Sequence, residues 1–169
     1  EFPLTYEIDK KSSVPQHLIS ELTKLADENA IVSVGVGQHQ MWAAQYYGFE
    51  EPNRWMTSGG LGTMGYGLPS AMGVQIAHPE SLVVCVAGDA SVQMNIQEMS
   101  SALQHGTDIK IMILNNEYMG MVRQWQQLLH GNRLSNSYTE AMPDFVKLAE
   151  AYGGTGIRCH KPAELDDAI

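Results

Sequence analysis

Two polar residues close successive apolar runs in this chain. Gly88-Asp89-Ala90-Ser91 ends the run Leu82–Ala87, and Asn115-Asn116 ends the run Ile109–Leu114. Two parallel strands joined by a helix connect right-handedly and leave their carboxyl ends on one edge, with neighbouring strands about 4.8 Å apart. A carboxylate oxygen of Asp89 and an amide oxygen of Asn116 can then reach one hard cation, and oxygen ligands favour Mg²⁺ or Ca²⁺ over zinc. Asn116 carries no charge, so that ion needs a further anion. Asp89 runs through Ala90 and Ser91 into a helix start, where outward N–H groups and the macrodipole favour a phosphate; Ser91 adds a hydroxyl. No Lys or Arg lies between Arg54 and Lys110, so metal and backbone would have to neutralise that phosphate. The plainer alternative makes Asp89 a helix cap and Asn115-Asn116 a turn.

A third element lowers that alternative: Ser58–Gly67 (SGGLGTMGYG) is a glycine-rich turn that lets a ligand approach the backbone. Its Gly60–Gly65 stretch also matches the dinucleotide fingerprint, with Asp89 near the place of the ribose-binding acid. Against that rival, Arg54–Ser58 is not the apolar strand the fingerprint needs, and the rival leaves Asn115-Asn116 unexplained. No Gly-Lys-Ser/Thr follows the glycines, which excludes a P-loop. Gln38-His39 could bind an oligoanion or cap a helix. Met64, Met94, Met112, Met119 and Met121 read as packing residues. Trp125 lies on an apolar helix face, where core packing is the ordinary use, and Arg123 reads as a surface residue. His78, His105, His130 and His160 show no convergent pattern.

The elements that must position these residues alternate along the chain. Helical spacing predicts a helix from about Pro15 to Asp27; Ile31–Val34 reads as a strand, and Gln38–Ala44 opens the next helix. The glycine-rich turn leads into a helix of small residues. The Leu82 strand, a helix over Gln93–Gln104 and the Ile109 strand follow. Tyr118–Leu129 reads as a helix with Met119, Val122, Trp125 and Leu129 in register, Phe145–Ala151 as a helix, Thr155–Arg158 as a last strand, and Lys161–Ile169 as a helix just begun. The pattern predicts an α/β fold with a parallel sheet flanked by helices on both faces, and ligands at the strand carboxyl ends. Residues 1–13 read as a linker and 14–169 as one domain, truncated at its C-terminal end.

A hydrophobic content of 44% supports a real core, and a net charge of −9 argues against a nucleic-acid or anionic-membrane surface. No run nears the roughly 18 apolar residues of a membrane span, and the first residues do not read as a signal peptide. Cys85 and Cys159 lack the spacing of a metal site or a disulfide framework and read as structural thiols in a reducing compartment.

Gly88-Asp89-Ala90 with Asn115-Asn116 resembles the thiamine-diphosphate motif, usually Gly-Asp-Gly followed downstream by Asn-Asn; Ala90 is the departure. Together with Val36–Ala44 (VGQHQMWAA), Thr57–Pro69 (TSGGLGTMGYGLP) and Asn115–Trp125 (NNEYMGMVRQW), it resembles the catalytic subunit of the acetohydroxyacid synthase (acetolactate synthase) family, over nearly the whole chain. The resemblance implies a thiamine-diphosphate-binding domain of the diphosphate type. It implies Mg²⁺ held by Asp89, Asn116 and the Tyr118 carbonyl, and cofactor contacts from Gln38, His39, Gly88, Ala90, Ser91, Met94, Asn116, Gly120 and Met121. Gly62 would accept a hydrogen bond from the aminopyrimidine and Met64 would wedge beneath the bent cofactor, the two residues that position it for catalysis. Met121 and Trp125 would line the substrate entrance, with Trp125 favouring 2-ketobutyrate; the family's herbicides bind there.

The family joins pyruvate, with loss of CO₂, to a second pyruvate or 2-ketobutyrate in branched-chain amino-acid biosynthesis. It carries FAD in a middle domain, forms homodimers or homotetramers, and often has a regulatory small subunit. Its assisting glutamate lies in another domain of a partner subunit, so this piece alone is expected to bind cofactor weakly and not to turn over. The resemblance implies a cytoplasmic location in a bacterium and a plastid or mitochondrial one in a eukaryote. A sister pyruvate-using thiamine enzyme and a noncatalytic regulatory module that keeps the fold are the rival readings.

Overall fold

The computed structural model describes residues 4–7, 14–26 and 28–169. Four parallel strands form one sheet: β1 (Ile31–Val34), β2 (Trp55–Thr57), β3 (Val83–Gly88) and β4 (Lys110–Leu114), in the order β2-β1-β3-β4. Val32 faces Trp55 across β1 and β2, Val34 faces Val86 across β1 and β3, and Gly88 faces Leu114 across β3 and β4. The chain turns one way from β1 to β2 and the other way from β3 to β4. The crevice outside the carboxyl ends of β1 and β3 is therefore the topological switch point, where open α/β sheets bind ligands.

Helices cover both faces, as a parallel sheet buried on both sides requires. On one face α1 (Pro15–Leu25) and α2 (Gln38–Tyr46) pack Ile19, Leu22 and Ala43, with Tyr47 just beyond α2, against Val32, Val34, Val84 and Val86. On the other, α3 (Gly67–Ala77), α4 (Asp89–Gln93) and α5 (Glu98–Gln104) pack Leu68, Ala71, Met72, Val92 and Ala102 against Val83, Cys85 and Ala87. Each fully buried side chain of Val or Leu size contributes about 1.5–3 kcal/mol, so the continuous apolar runs of β1 and β3 anchor the sheet. Gly67 is required where α3 meets β1, because a Cβ there would lie 2.7 Å from the Gly35 nitrogen. The remaining helices are α6 (Gly120–Leu128), α7 (Phe145–Tyr152) and α8 (Leu165–Ala168), the last preceded by a 3-10 turn over Pro162–Glu164.

Several boundaries differ from the sequence reading. The first helix ends at Leu25, because Ala26 is extended, and Asp27 lies outside the described residues. Arg54–Ser58, read as lacking the apolar strand of a dinucleotide fingerprint, contains the half-buried edge strand β2, which the sequence reading did not list. The helix expected over Gln93–Gln104 is two: α4 starts at Asp89, and a turn over 94–97 separates it from α5. There the Asn95 amide donates to the Gly65 carbonyl at 2.9 Å, tying that turn to the glycine-rich loop. Thr155–Arg158 is not a strand; Ile157 is 65% exposed, and Arg158 pairs with Asp144, which caps α7 by accepting from Val146 and Lys147. Cys159, expected near a strand end, lies in that same irregular segment with its Sγ donating to the Lys161 carbonyl. Of the expected linker, residues 4–7 are described, and Tyr6 there packs edge-on against Tyr46 at 5.4 Å. No helix among the described residues is long and apolar enough to cross a membrane.

Candidate functional site

A cavity of about 710 Å³ opens at the carboxyl ends of β1, β3 and β4 and extends under α6. The segment after β1 supplies Val36, Gly37, Gln38 and His39. The glycine-rich turn adds Gly62 and Met64, and the end of β3 adds Gly88, Asp89, Ala90 and Ser91. Past β4 come Asn116, Tyr118, Gly120, Met121 and Trp125. Of the residues to which the resemblance gives a cofactor, metal or substrate role, Met94 alone does not line it. It is 47% exposed, with its Cβ close to where a Cβ on Gly65 would stand.

Three polar side-chain atoms of the cavity-lining residues are buried without a hydrogen-bond partner among the described residues: Asp89 Oδ2, His39 Nε2 and, on α6, Gln126 Oε1. Asp89 is only 2% exposed. Burial raises its pKa above the usual carboxylate range, while the N–H groups of Ala90, of Asp89 itself and of Glu117 act in the opposite direction. Asp89 at the end of β3 and Asn116 in the turn after β4 line this same cavity, the convergence that the spacing predicts. A buried carboxylate oxygen left without a donor is costly. A cation held in the cavity would offset that cost.

The turn after β4 is tightly built. Asn115 Oδ1 accepts the Glu117 N–H at 3.2 Å and Asn116 Oδ1 accepts the Tyr118 N–H at 3.1 Å, while Glu117 stands at a φ of 63°, a conformation few residues other than glycine adopt. The Glu117 carbonyl accepts from Thr139 and the Met119 carbonyl from Arg123, whereas no described backbone N–H takes the Tyr118 carbonyl. Asp89, Asn116 and Tyr118 all line the cavity, and between them they offer oxygen donors with one negative charge. No group of three or more His, Cys, Asp or Glu side chains among the described residues could hold a metal. The set therefore suits a hard cation that completes its shell with water and phosphate oxygens.

His39 occupies a glycine cage: a Cβ at Gly88 would lie 2.7 Å from its Nδ1, and one at Gly35 2.9 Å from its Nε2. Burial lowers its pKa to about 4, so the ring is neutral at physiological pH and offers one N–H. Ser91 Oγ accepts the Gly65 N–H at 3.1 Å, which leaves its own proton to donate. Gln38 donates to Gln124 at 3.2 Å and lies so close to Gly120 that a Cβ there would push its side chain aside. These are neutral donors beside the helix start at Asp89, an arrangement suited to a diphosphate whose charge a metal balances.

The sequence reading left several cavity residues unassigned, two of them from beyond α6. Arg133 and His130, both from the exposed loop after α6, line it as well; a basic side chain beyond Lys110 carried no signal in the spacing of the motifs. Trp125 is 60% exposed and α6 buries none of its residues, so core packing is not its use. Cys85 is buried, which pushes its pKa up to about 12 and leaves it a packing thiol.

The family described as thiamine pyrophosphate enzyme, C-terminal TPP binding domain, matches residues 35–169. The chain is 52% identical over 166 residues to the acetolactate synthase isozyme 3 large subunit of Escherichia coli (strain K12), covering 98% of this chain and 29% of that protein. It is 50% identical over 165 residues to the acetolactate synthase large subunit of Haemophilus influenzae, covering 96% and 29%. To the mitochondrial acetolactate synthase catalytic subunit of Saccharomyces cerevisiae it is 52% identical over 171 residues, covering 98% and 25%. The chain thus spans less than a third of the length of these curated relatives. Its parallel sheet, its cavity at the switch point and the family match over four-fifths of its length agree, and the chain belongs to the thiamine pyrophosphate enzyme family as its C-terminal TPP-binding domain.

Proposed function

We propose that this domain holds the Mg²⁺–diphosphate end of thiamine diphosphate in an acetolactate synthase, whose complete chain joins pyruvate, with loss of CO₂, to a second pyruvate or 2-ketobutyrate. The observation that carries the reading is the buried, unpartnered Asp89 Oδ2 facing the same cavity as His39 Nε2. The names of the relatives support the reaction.

In this reading Asp89, Asn116 and the Tyr118 carbonyl hold Mg²⁺, and Gln38, His39, Ala90 and Ser91 hold the phosphates beside Gly88 and Gly120. Gly62 and Met64 support the ring portion. When bound, thiamine diphosphate supplies the carbon nucleophile and electron sink for 2-keto acid chemistry. The residues of this chain bind it, orient it and exclude water from its diphosphate. Met121 and Trp125 border the open side of the cavity and set which second keto acid fits. The complete enzyme carries FAD outside this domain, takes a homodimeric or homotetrameric form, associates with a regulatory subunit, and works in the cytoplasm of a bacterium or in an organelle of a eukaryote. The isolated domain is inactive.

The test is acetolactate formation from pyruvate by the full-length parent, with thiamine diphosphate, Mg²⁺ and FAD each omitted in turn. Activity lost without either of the first two and weakened without FAD is the expected result. Pyruvate consumed without acetolactate points to a sister thiamine enzyme, and no consumption rejects an enzymatic role.

A further inference from the structure

Tyr118 is held from its side-chain end as well as its backbone. The guanidinium carbon of Arg123, one turn into α6, sits 4.0 Å from the centroid of the Tyr118 ring. The Tyr138 ring lies 4.9 Å away at an interplanar angle of 40°. The two tyrosines also form an isolated antiparallel bridge, in which the Met119 N–H donates to the Ser137 carbonyl at 2.9 Å and the Thr139 N–H to the Glu117 carbonyl at 2.8 Å. The loop between them is itself fastened to α6: the Gln126 amide donates to the Ser135 carbonyl at 2.7 Å and the Asn132 N–H to the Gln126 carbonyl at 3.0 Å. These contacts converge on the one residue of the 117–119 segment whose carbonyl no described backbone N–H takes.

We infer that Arg123 and Tyr138 are positioning residues that clamp Tyr118 so that its backbone carbonyl stays presented to the cation, coupling the loop after α6 to the metal site. The inference rests on the reading of Asp89, Asn116 and Tyr118 as the metal donors. A carbonyl beside a left-handed Glu117 would rotate away without support, since that conformation is costly for a residue other than glycine. Cation–π and aromatic contacts at an exposed site supply restraint of the right order. Neither side chain need touch the metal or the cofactor.

The test is calorimetric titration of Mg²⁺ into the full-length protein at saturating thiamine diphosphate. Tyr138→Ala is expected to weaken Mg²⁺ binding about 2- to 10-fold, the range an aromatic pair of this kind supports, and Arg123→Met about 2- to 5-fold. Tyr138→Phe, which keeps the ring, retains wild-type affinity, and thermal melts without metal or cofactor stay within a few degrees for all three. Unchanged Mg²⁺ affinity in Arg123→Met and Tyr138→Ala, with Asp89→Asn still abolishing binding, overturns the clamp and leaves the metal reading standing. Wild-type Mg²⁺ binding in Asp89→Asn overturns the metal reading and the clamp with it. Equal losses in Tyr138→Ala and Tyr138→Phe, with lowered melting temperatures, reduce the effect to general destabilisation and reject the clamp.

Discussion

At the residue scale the proposed site is built from conflicts that a bound cation would resolve. Asp89 keeps a buried oxygen without a donor among the described residues, and burial raises its pKa. Its folded pKa lies above the unfolded one, so the ionised form is disfavoured on folding and stability falls as pH rises through that range. Asp89→Asn is therefore expected to raise the melting temperature of the cofactor-free protein at neutral pH while abolishing Mg²⁺-dependent retention of thiamine diphosphate; differential scanning calorimetry and a cofactor-retention assay check the two halves. His39 has the opposite sign. Its folded pKa of about 4 lies below the unfolded value of 6.5, so the unfolded state binds the extra proton first. The protein loses up to about 3 kcal/mol as pH falls from about 6.5 towards 4, and His39→Gln should flatten that slope in urea unfolding curves measured across the range.

At the element scale, strands buried on both faces were legible and elements at the margins were not. Ile31–Val34 is buried throughout and matches its apolar run, as does the β3 run before Asp89. Strand β2 escaped because three half-buried residues at a sheet edge leave neither an apolar run nor an alternation. The break between α4 and α5 escaped because no glycine or proline marks it; a tertiary bond from Asn95 to the glycine-rich turn sets it. The stripe of Val122 and Trp125 on α6 and Leu129 at its C-cap has the period of a core face yet stays exposed, since periodicity reports an apolar face and not what covers it. Because Trp125 is exposed, Trp125→Leu should shift stability by less than about 0.5 kcal/mol while weakening the preference for 2-ketobutyrate over pyruvate in a competition assay. Gly67→Ala lies at the other extreme: its Cβ meets backbone at 2.7 Å, and a loss of about 1–3 kcal/mol is expected on denaturation.

At the scale of the whole molecule, the strand order places four chemistry-bearing segments on one edge of the sheet, and that placement followed from the alternation of strands and helices. The loop after α6 did not follow. Arg133 and His130 reach the cavity only because residues 117–139 fold back as a bridged unit, a contact between segments that no local pattern encodes. Trp125, Leu128 and Leu129 stay exposed beside the cavity, and in the proposed reading the remainder of the parent covers this side. The isolated domain is accordingly expected to bind thiamine diphosphate at least tenfold more weakly than the full-length protein and to form no acetolactate.

The central claim, that Asp89 and the turn after β4 hold a metal-bridged diphosphate, is tested most directly by titrating thiamine diphosphate into the full-length protein with and without Mg²⁺, in wild type and Asp89→Asn. One saturable site per chain that requires both Mg²⁺ and the Asp89 carboxylate is the predicted result. Binding of equal strength without Mg²⁺, or in the Asp89→Asn protein, would contradict it.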